Sequence, residues 1–227
     1  TRGTPRVQPV EDSSCLSPSL ALPPDSPLPT IGVRTMNQKQ LVGMPVVAIE
    51  LRDEPAVVLD LRNNHGGSDT PAHDWVTRFS REDYRWACSA QVVKDQDHPL
   101  RHWRSSSDSG YQISGGAHAE SPYDGRLAVL IDTGVASSGE TFAFLASTVP
   151  GAVLLGENSS GCSAYGNVEP HEPLPHSRVS LWFGRSRFVW ECTRPVVEGV
   201  GMFPDYWLDV NDPVAWLAAH PEALGME

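Results

Sequence analysis

An α/β domain is the fold class the sequence predicts, and three observations predict it. Apolar runs of strand length recur at "PAVVLDLR" (55–62), "RLAVLID" (126–132) and "AVLLGE" (152–157). Stretches that open with helix-start signals lie between them, at "TPAHDWVTRFS" (70–80) and after "TGVASSGE" (133–140). Each apolar run ends in a turn rich in glycine, asparagine or serine. Strands alternating with helices in this way indicate a single α/β core.

Taken in order, residues 1–28 are rich in proline and serine and read as an extended arm or linker, with the core domain over 29–227. "PTIGVRTM" (29–36) reads as a strand, and "PAVVLDLR" is the strongest buried-strand signal in the chain. It ends in "NNHGGSD", and the helix over 70–80 follows, with Thr70 or Asp69 as N-cap and Pro71 in its first turn. "SAQVVK" (89–94) reads as the next strand. From about 95 to 125 the chain is polar and glycine-rich, which predicts a long loop, either a functional flap or a disordered segment. "RLAVLID" then feeds a helix whose start, Ser137 with Glu140 three residues on, has the residues of a capping box. After "AVLLGE" comes the turn "NSSGCSAYGN", then a hairpin predicted around Gly184 from "SRVSLWF" (177–183) and "RFVWEC" (187–192). "DPVAWLAAH" (212–220) predicts a last helix capped by Asp212, with Pro213 in its first turn. There is no internal repeat.

Composition narrows the function. The 227 residues are 40% hydrophobic and 20% charged, as in an ordinary globular chain. A formal net charge of −11 argues against a nucleic-acid partner, because phosphate binding needs a concentrated positive face. The basic side chains are nearly all arginine; Lys39 and Lys94 are the only lysines. No apolar run has the length of a membrane span, and the N-terminus lacks a basic-then-apolar signal. Cys15, Cys88, Cys162 and Cys192 form no C-x-x-C pair, so a zinc knuckle is not expected. Disulfides and free thiols both remain open, and so does the compartment, with an exported or extracytoplasmic setting ranked ahead of the cytoplasm. "HEPLPH" (171–176) spaces its histidines five apart with prolines that forbid a helix, and "HD" at 73–74 is isolated. No metal site and no cofactor is expected. Trp103, Trp182, Trp190 and Trp207 read as core or rim packing.

The serine pair after "TGVA" has two chemical meanings. A capping box satisfies the first amides of a helix. The same geometry places a serine hydroxyl at the positive end of the helix dipole, where backbone N–H groups can hold an oxyanion. The segment is not a G-x-S-x-G elbow, so an α/β-hydrolase is not supported.

Four segments in order, "VVLDLRNNHGG", "VLIDTGVASSGE", "LLGENSSGCSAYGN" and "VEGVGMFPD", resemble the core of the C-terminal-processing proteases. That family includes the tricorn core protease and retinoid-binding relatives, and the similarity covers roughly residues 29–218. The resemblance implies a crotonase-like (ClpP-like) spiral of strands and helices. It implies Ser137 as nucleophile, with the N–H of Ser138 and of Gly66 or Gly67 as oxyanion hole. It implies a peptide or protein substrate cleaved through an acyl-enzyme.

Two departures bear on the proton acceptor. The family's "F-G-K-G" turn, which carries a lysine base, is "S-G-C-S" here, with Cys162 at the lysine position. The tricorn-like branch uses an upstream serine and histidine with a downstream glutamate. Glu198 matches the glutamate, but no histidine precedes His65. His65, in the glycine turn, ranks first as base, ahead of His171 and His176. The rival expectation is a catalytically degenerate member that binds a small molecule or a partner in the same cleft.

Overall fold

The computed structural model describes residues 25–80, 122–163, 172–189 and 196–226, with strand segments at 20–21, 84–86, 88–94, 101–105, 111–113 and 165–170. In chain order these begin with β1 (Leu20–Ala21), β2 (Thr30–Val33), α1 (Met44–Leu51), β3 (Ala56–Asp60) and α2 (Thr70–Ser80). The short strands β4 (Tyr84–Trp86), β5 (Cys88–Lys94), β6 (Arg101–Ser105) and β7 (Tyr111–Ile113) follow. Then come β8 (Arg126–Ile131), α3 (Ser138–Ser147), β9 (Ala152–Gly156), β10 (Tyr165–Pro170) and β11 (Trp182–Val189). The last elements are β12 (Tyr206–Trp207), α4 (Pro213–Ala219) and a 3-10 helix, Pro221–Leu224.

The main sheet has the order β1-β2-β3-β8-β9-β12, and every pairing from β2 to β12 is parallel. All five residues of β3 are buried, as are the last five of β8. Parallel strands covered on both faces read as continuous apolar runs, which is why these two stand out in the sequence. One face carries α1, α2 and α3 over a core that includes Ile31, Val57, Leu59, Leu127, Val129, Trp75 and Phe142. Its aromatic centre is Trp75, stacked on Phe79 at 4.3 Å and edge-on to Phe142 at 5.5 Å. The opposite face packs Val58, Ala128, Leu130 and Leu155 against Leu217 and Leu224 of the C-terminal helices.

Arg34 and Arg62 fasten the ends of β2 and β3 through the buried Asp60. Arg62 binds both carboxylate oxygens, at 2.9 and 2.8 Å, and Arg34 binds one at 2.6 Å. Burial raises the carboxyl's pKa, but the hydrogen bonds and charges of Arg62 and Arg34 outweigh it and hold it down at about 2.

Several expectations change. The stretch predicted as a loop over 95–125 contains β6, paired with β5 in an antiparallel sheet of order β10-β11-β5-β6, and β7, paired with β4. Gly184 does not turn a hairpin. It lies inside β11 opposite Val168, because β11 runs unbroken between the preceding strand β10 and the distant β5, and that pairing overrides the local preference of glycine for turns. Trp182 and Trp207 are exposed and so belong to the rim, whereas Trp75 is the fully buried tryptophan among the described residues. Trp190, Cys15, Cys192 and His171 lie outside the described residues, as do the side chains of Trp103 and Cys88. Part of the predicted arm, Leu20–Ala21, is an antiparallel edge strand on β2. Among the described residues, no helix is long and apolar enough to cross a membrane.

Candidate active site

Three adjacent parallel strands, β3, β8 and β9, end at the same edge of the sheet, so the turns that follow them converge there. Crevices beyond the carboxyl ends of parallel strands are where α/β sheets place ligands. The first turn carries Asn63 to Gly67, the second leads through Gly134 to Ser137, and the third carries Ser159 to Ser163. Asp132 joins the first two, its Oδ1 accepting from Asn63 N–H at 2.9 Å and Gly134 N–H at 3.0 Å.

Ser137 is the N-cap of α3, with φ +53° and ψ −124°. A non-glycine residue with positive φ stores strain of roughly 1–3 kcal/mol, tolerated only where neighbours fix it. The capping box is present, with the Glu140 carboxylate on the Ser137 N–H and the Glu140 N–H facing the Ser137 side chain. Glu140 Oε2 accepts from Ser137 N–H at 3.2 Å, and Glu140 N–H also donates to the Ser137 carbonyl at 2.9 Å. Ser137 is exposed, with its side chain over the first turn of α3.

Glu140 does more than cap. Its fully buried carboxylate also accepts from Ser159 Oγ at 2.5 Å, Gly161 N–H at 2.8 Å and Cys162 N–H at 2.8 Å. All its partners are donors, so both oxygens act as acceptors. Ser159 Oγ in turn accepts from Met202 N–H at 2.7 Å. One buried side chain therefore ties the serine turn to the cysteine turn, and through Ser159 to the segment after Glu198.

The glycine turn presses against Ser137. A Cβ on Gly66 would lie 2.8 Å from Ser137 Cβ and 2.7 Å from the Ala136 carbonyl, and one on Gly67 would lie 2.6 Å from the Met36 carbonyl. With φ of +94° and +146°, both positions require glycine. Ser138 is buried and its hydroxyl donates to the Gly67 carbonyl at 3.0 Å. Gly66 N–H is already bound to Asn64 Oδ1 at 2.9 Å. Among the described residues, the N–H groups of Gly67 and Ser138 have no partner, which leaves a free donor in the glycine turn and another at the helix start.

The remaining predicted residues sit on the rim. His65 is exposed and makes no hydrogen bond to Ser137. His176 is exposed in the turn over 175–177. Glu198 is exposed in a tight turn bridged by Val197 and Gly201, and Gly199 N–H donates to the Gly161 carbonyl at 2.8 Å. That bond sets the Glu198 turn against the cysteine turn, where Cys162 is an exposed free thiol. His73 lies half-buried on α2. Burial lowers its pKa, with Asp69 and Asp74 acting in the opposite direction.

Two contributors have no strong sequence signal. Asn64 is only one of two asparagines in a turn, and Ser159 one of two serines. "NNHGG" marks a special backbone, yet it does not reveal which asparagine is buried.

None of the curated proteins matches the chain. Among solved structures it is similar in fold to a candidate peptidase from Parabacteroides merdae, with a TM-score of 0.64 at 15% identity over 90% of this chain and 63% of that one. It is similar also to mature CPAF, with a TM-score of 0.61 at 13% identity over 87% of this chain and 50% of that one. A candidate S41 protease from Bacteroides fragilis gives 0.51 at 13% identity, over 86% of this chain and 51% of that one. The chain thus spans between half and less than two-thirds of the length of these structures. The description Peptidase family S41 matches residues 31–205, which contain all three turns and the Glu198 segment, and the chain belongs to that family.

Proposed function

We propose that the chain is a serine peptidase-like hydrolase that cleaves peptide or amide bonds through an acyl-enzyme on Ser137. The observation that carries this reading is the junction of β8 and α3. There a strained, exposed serine stands beside two backbone donors with no partner among the described residues, Ser138 N–H and Gly67 N–H.

In the proposed reaction Ser137 Oγ attacks the substrate carbonyl carbon and its proton passes to a base. The carbonyl oxygen becomes an oxyanion held by Ser138 N–H and Gly67 N–H, aided by the N-terminal dipole of α3. Collapse expels the amine, which takes up the proton, and water repeats the sequence on the ester. His65 is the assigned base, because it leaves the turn that contacts Ser137, and Glu198 orients it. Neither reaches the hydroxyl without substrate, and catalytic hydrogen bonds often close only in the Michaelis complex.

A second reading is favoured by one observation: among the described residues no imidazole or amine side chain is hydrogen-bonded to Ser137, which fits the resemblance that puts Cys162 where the family has its lysine. A serine without a base is a weak nucleophile, and such a protein would bind a small molecule or partner in the cleft. A fluorophosphonate probe separates the two. Labelling confined to Ser137, and abolished in Ser137→Ala, supports the hydrolase. Absence of labelling in the folded wild type overturns it in favour of binding.

A further inference from the structure

We infer that Asn64 is a positioning residue that selects which glycine N–H the oxyanion hole presents. The inference rests on the acyl-transfer reading above, but its structural half can be tested without turnover.

Asn64 is fully buried between three segments. Its Nδ2 donates to the Val33 carbonyl at the end of β2, at 3.0 Å. Its main-chain carbonyl accepts from Ala136 N–H, the residue before the nucleophile, at 2.9 Å. Its Oδ1 accepts from Gly66 N–H at 2.9 Å. The Gly66 carbonyl is used as well, by Met36 N–H at 3.0 Å. Gly66 is thus spent on both sides, and Gly67 N–H is the amide of the pair left for a substrate.

The close approach depends on α3. A Cβ on Gly139 would come within 2.6 Å of the Asn64 carbonyl and 3.1 Å of Oδ1. Asn64 therefore sits directly against the first turn of the helix that carries Ser137. A side chain that pins the glycine turn and the residue before the nucleophile together fixes the distance between the two halves of the hole. Donors held in place before the charge develops need no reorganisation at the moment of reaction, and that is what makes an oxyanion hole effective.

Without Asn64, Gly66 N–H is released, and the turn gains a second orientation in which the wrong amide faces the cleft. The lost alignment acts on the transition state and leaves ground-state binding alone. Serine at position 64 keeps an acceptor that can reach the N–H two residues on, though more weakly, and lacks the donor to Val33. It separates positioning of Gly66 from bracing of β2.

The test has two arms. In the wild-type chain, amide hydrogen exchange followed by NMR is expected to show Gly66 N–H protected at least roughly ten-fold more than Gly67 N–H. The reverse order overturns the inference whether or not the protein turns over any substrate. In the second arm, Asn64→Ala and Asn64→Ser are compared by the kinetics of fluorophosphonate inactivation. Asn64→Ala is expected to lower the maximal inactivation rate on the order of 10²-fold, the size of losing one oxyanion donor, with half-saturation changed less than about two-fold. Asn64→Ser is expected to recover most of that loss. An unchanged rate in Asn64→Ala, or an equal loss in Asn64→Ser, overturns the positioning role. Failure of the wild type to label overturns the hydrolase reading instead, and the exchange pattern alone then decides which amide Asn64 holds.

Discussion

Glu140→Gln is the sharpest perturbation of the site, because it changes one atom and keeps the shape. Oε2 of the carboxylate receives Ser137 N–H and Cys162 N–H; Oε1 receives Ser159 Oγ and Gly161 N–H. An amide supplies only one oxygen, so one pair of donors must meet an NH2 group. The cheaper choice puts the NH2 where Oε1 was, since the Ser159 hydroxyl can rotate and accept. Gly161 N–H cannot, and a buried donor left without a partner costs about 1–3 kcal/mol. The bonds that survive lose their charge assistance, about 1 kcal/mol each, while removing a buried charge returns part of the sum. The expected net loss is roughly 2–3 kcal/mol. At about 2–4 °C per kcal/mol for a chain of this size, thermal melts followed by circular dichroism are expected to fall by about 4–12 °C. The same variant is expected to slow labelling of Ser137, because Ser137 N–H and the strained φ lean on Glu140. A melting temperature within about 1 °C of wild type would refute the reasoning, since it would mean that the four donors find other partners at no cost.

Two further perturbations test the frame around the site. The folded pKa of Asp60, about 2, lies below its ordinary value of 3.8. Its contribution, roughly 2 kcal/mol, is therefore present in full above that ordinary value and is lost as pH falls through the folded one. Urea titrations between about pH 5 and pH 2 are expected to show this acid loss in the wild type and a flatter limb in Asp60→Asn; equal limbs would count against the Arg34–Asp60–Arg62 clamp. Asp212 Oδ1 accepts from Ala215 N–H at 3.0 Å, and Asp212→Ala is expected to cost about 1 kcal/mol in the same titration, with Ser137 labelling unchanged.

What the sequence revealed was what local chemistry determines. α2 runs over Thr70–Ser80 as its start signals and apolar spacing predict, and Asp212 caps α4. β3, β8 and β9 were legible because strands buried on both faces carry unbroken apolar runs. α1 was not, since "MPVVAIEL" is apolar all round: Val46 and Ile49 are exposed while Val47 and Ala48 are buried, so no face announces itself. β10, β11 and β6 were misread for the opposite reason, as polar and glycine-bearing segments that become strands only by pairing: β6 with β5, β10 with β11, and β11 also with the distant β5. The same divide runs through the site. Ser137 and the glycine turn lie at strand ends and are marked by their own residues. Asn64 and Ser159 matter through bonds to residues 31 and 43 positions away, which no local pattern encodes.

Burial also separates the two halves of the proposed chemistry. The groups that would stabilise an oxyanion are backbone amides, and their positions follow from buried side chains, Glu140 and Asn64, that have no freedom to move. The groups that would handle a proton, His65 and Glu198, are exposed side chains on turns, as is the Cys162 thiol. An exposed side chain changes rotamer at little cost, whereas a buried hydrogen-bonded one does not. Substitutions at His65 or Glu198 should therefore leave the fold intact and act on Ser137 reactivity alone, while substitutions at Glu140 act on both. That difference makes the rim the place where this chain could keep or lose peptidase chemistry without altering the core that its family shares.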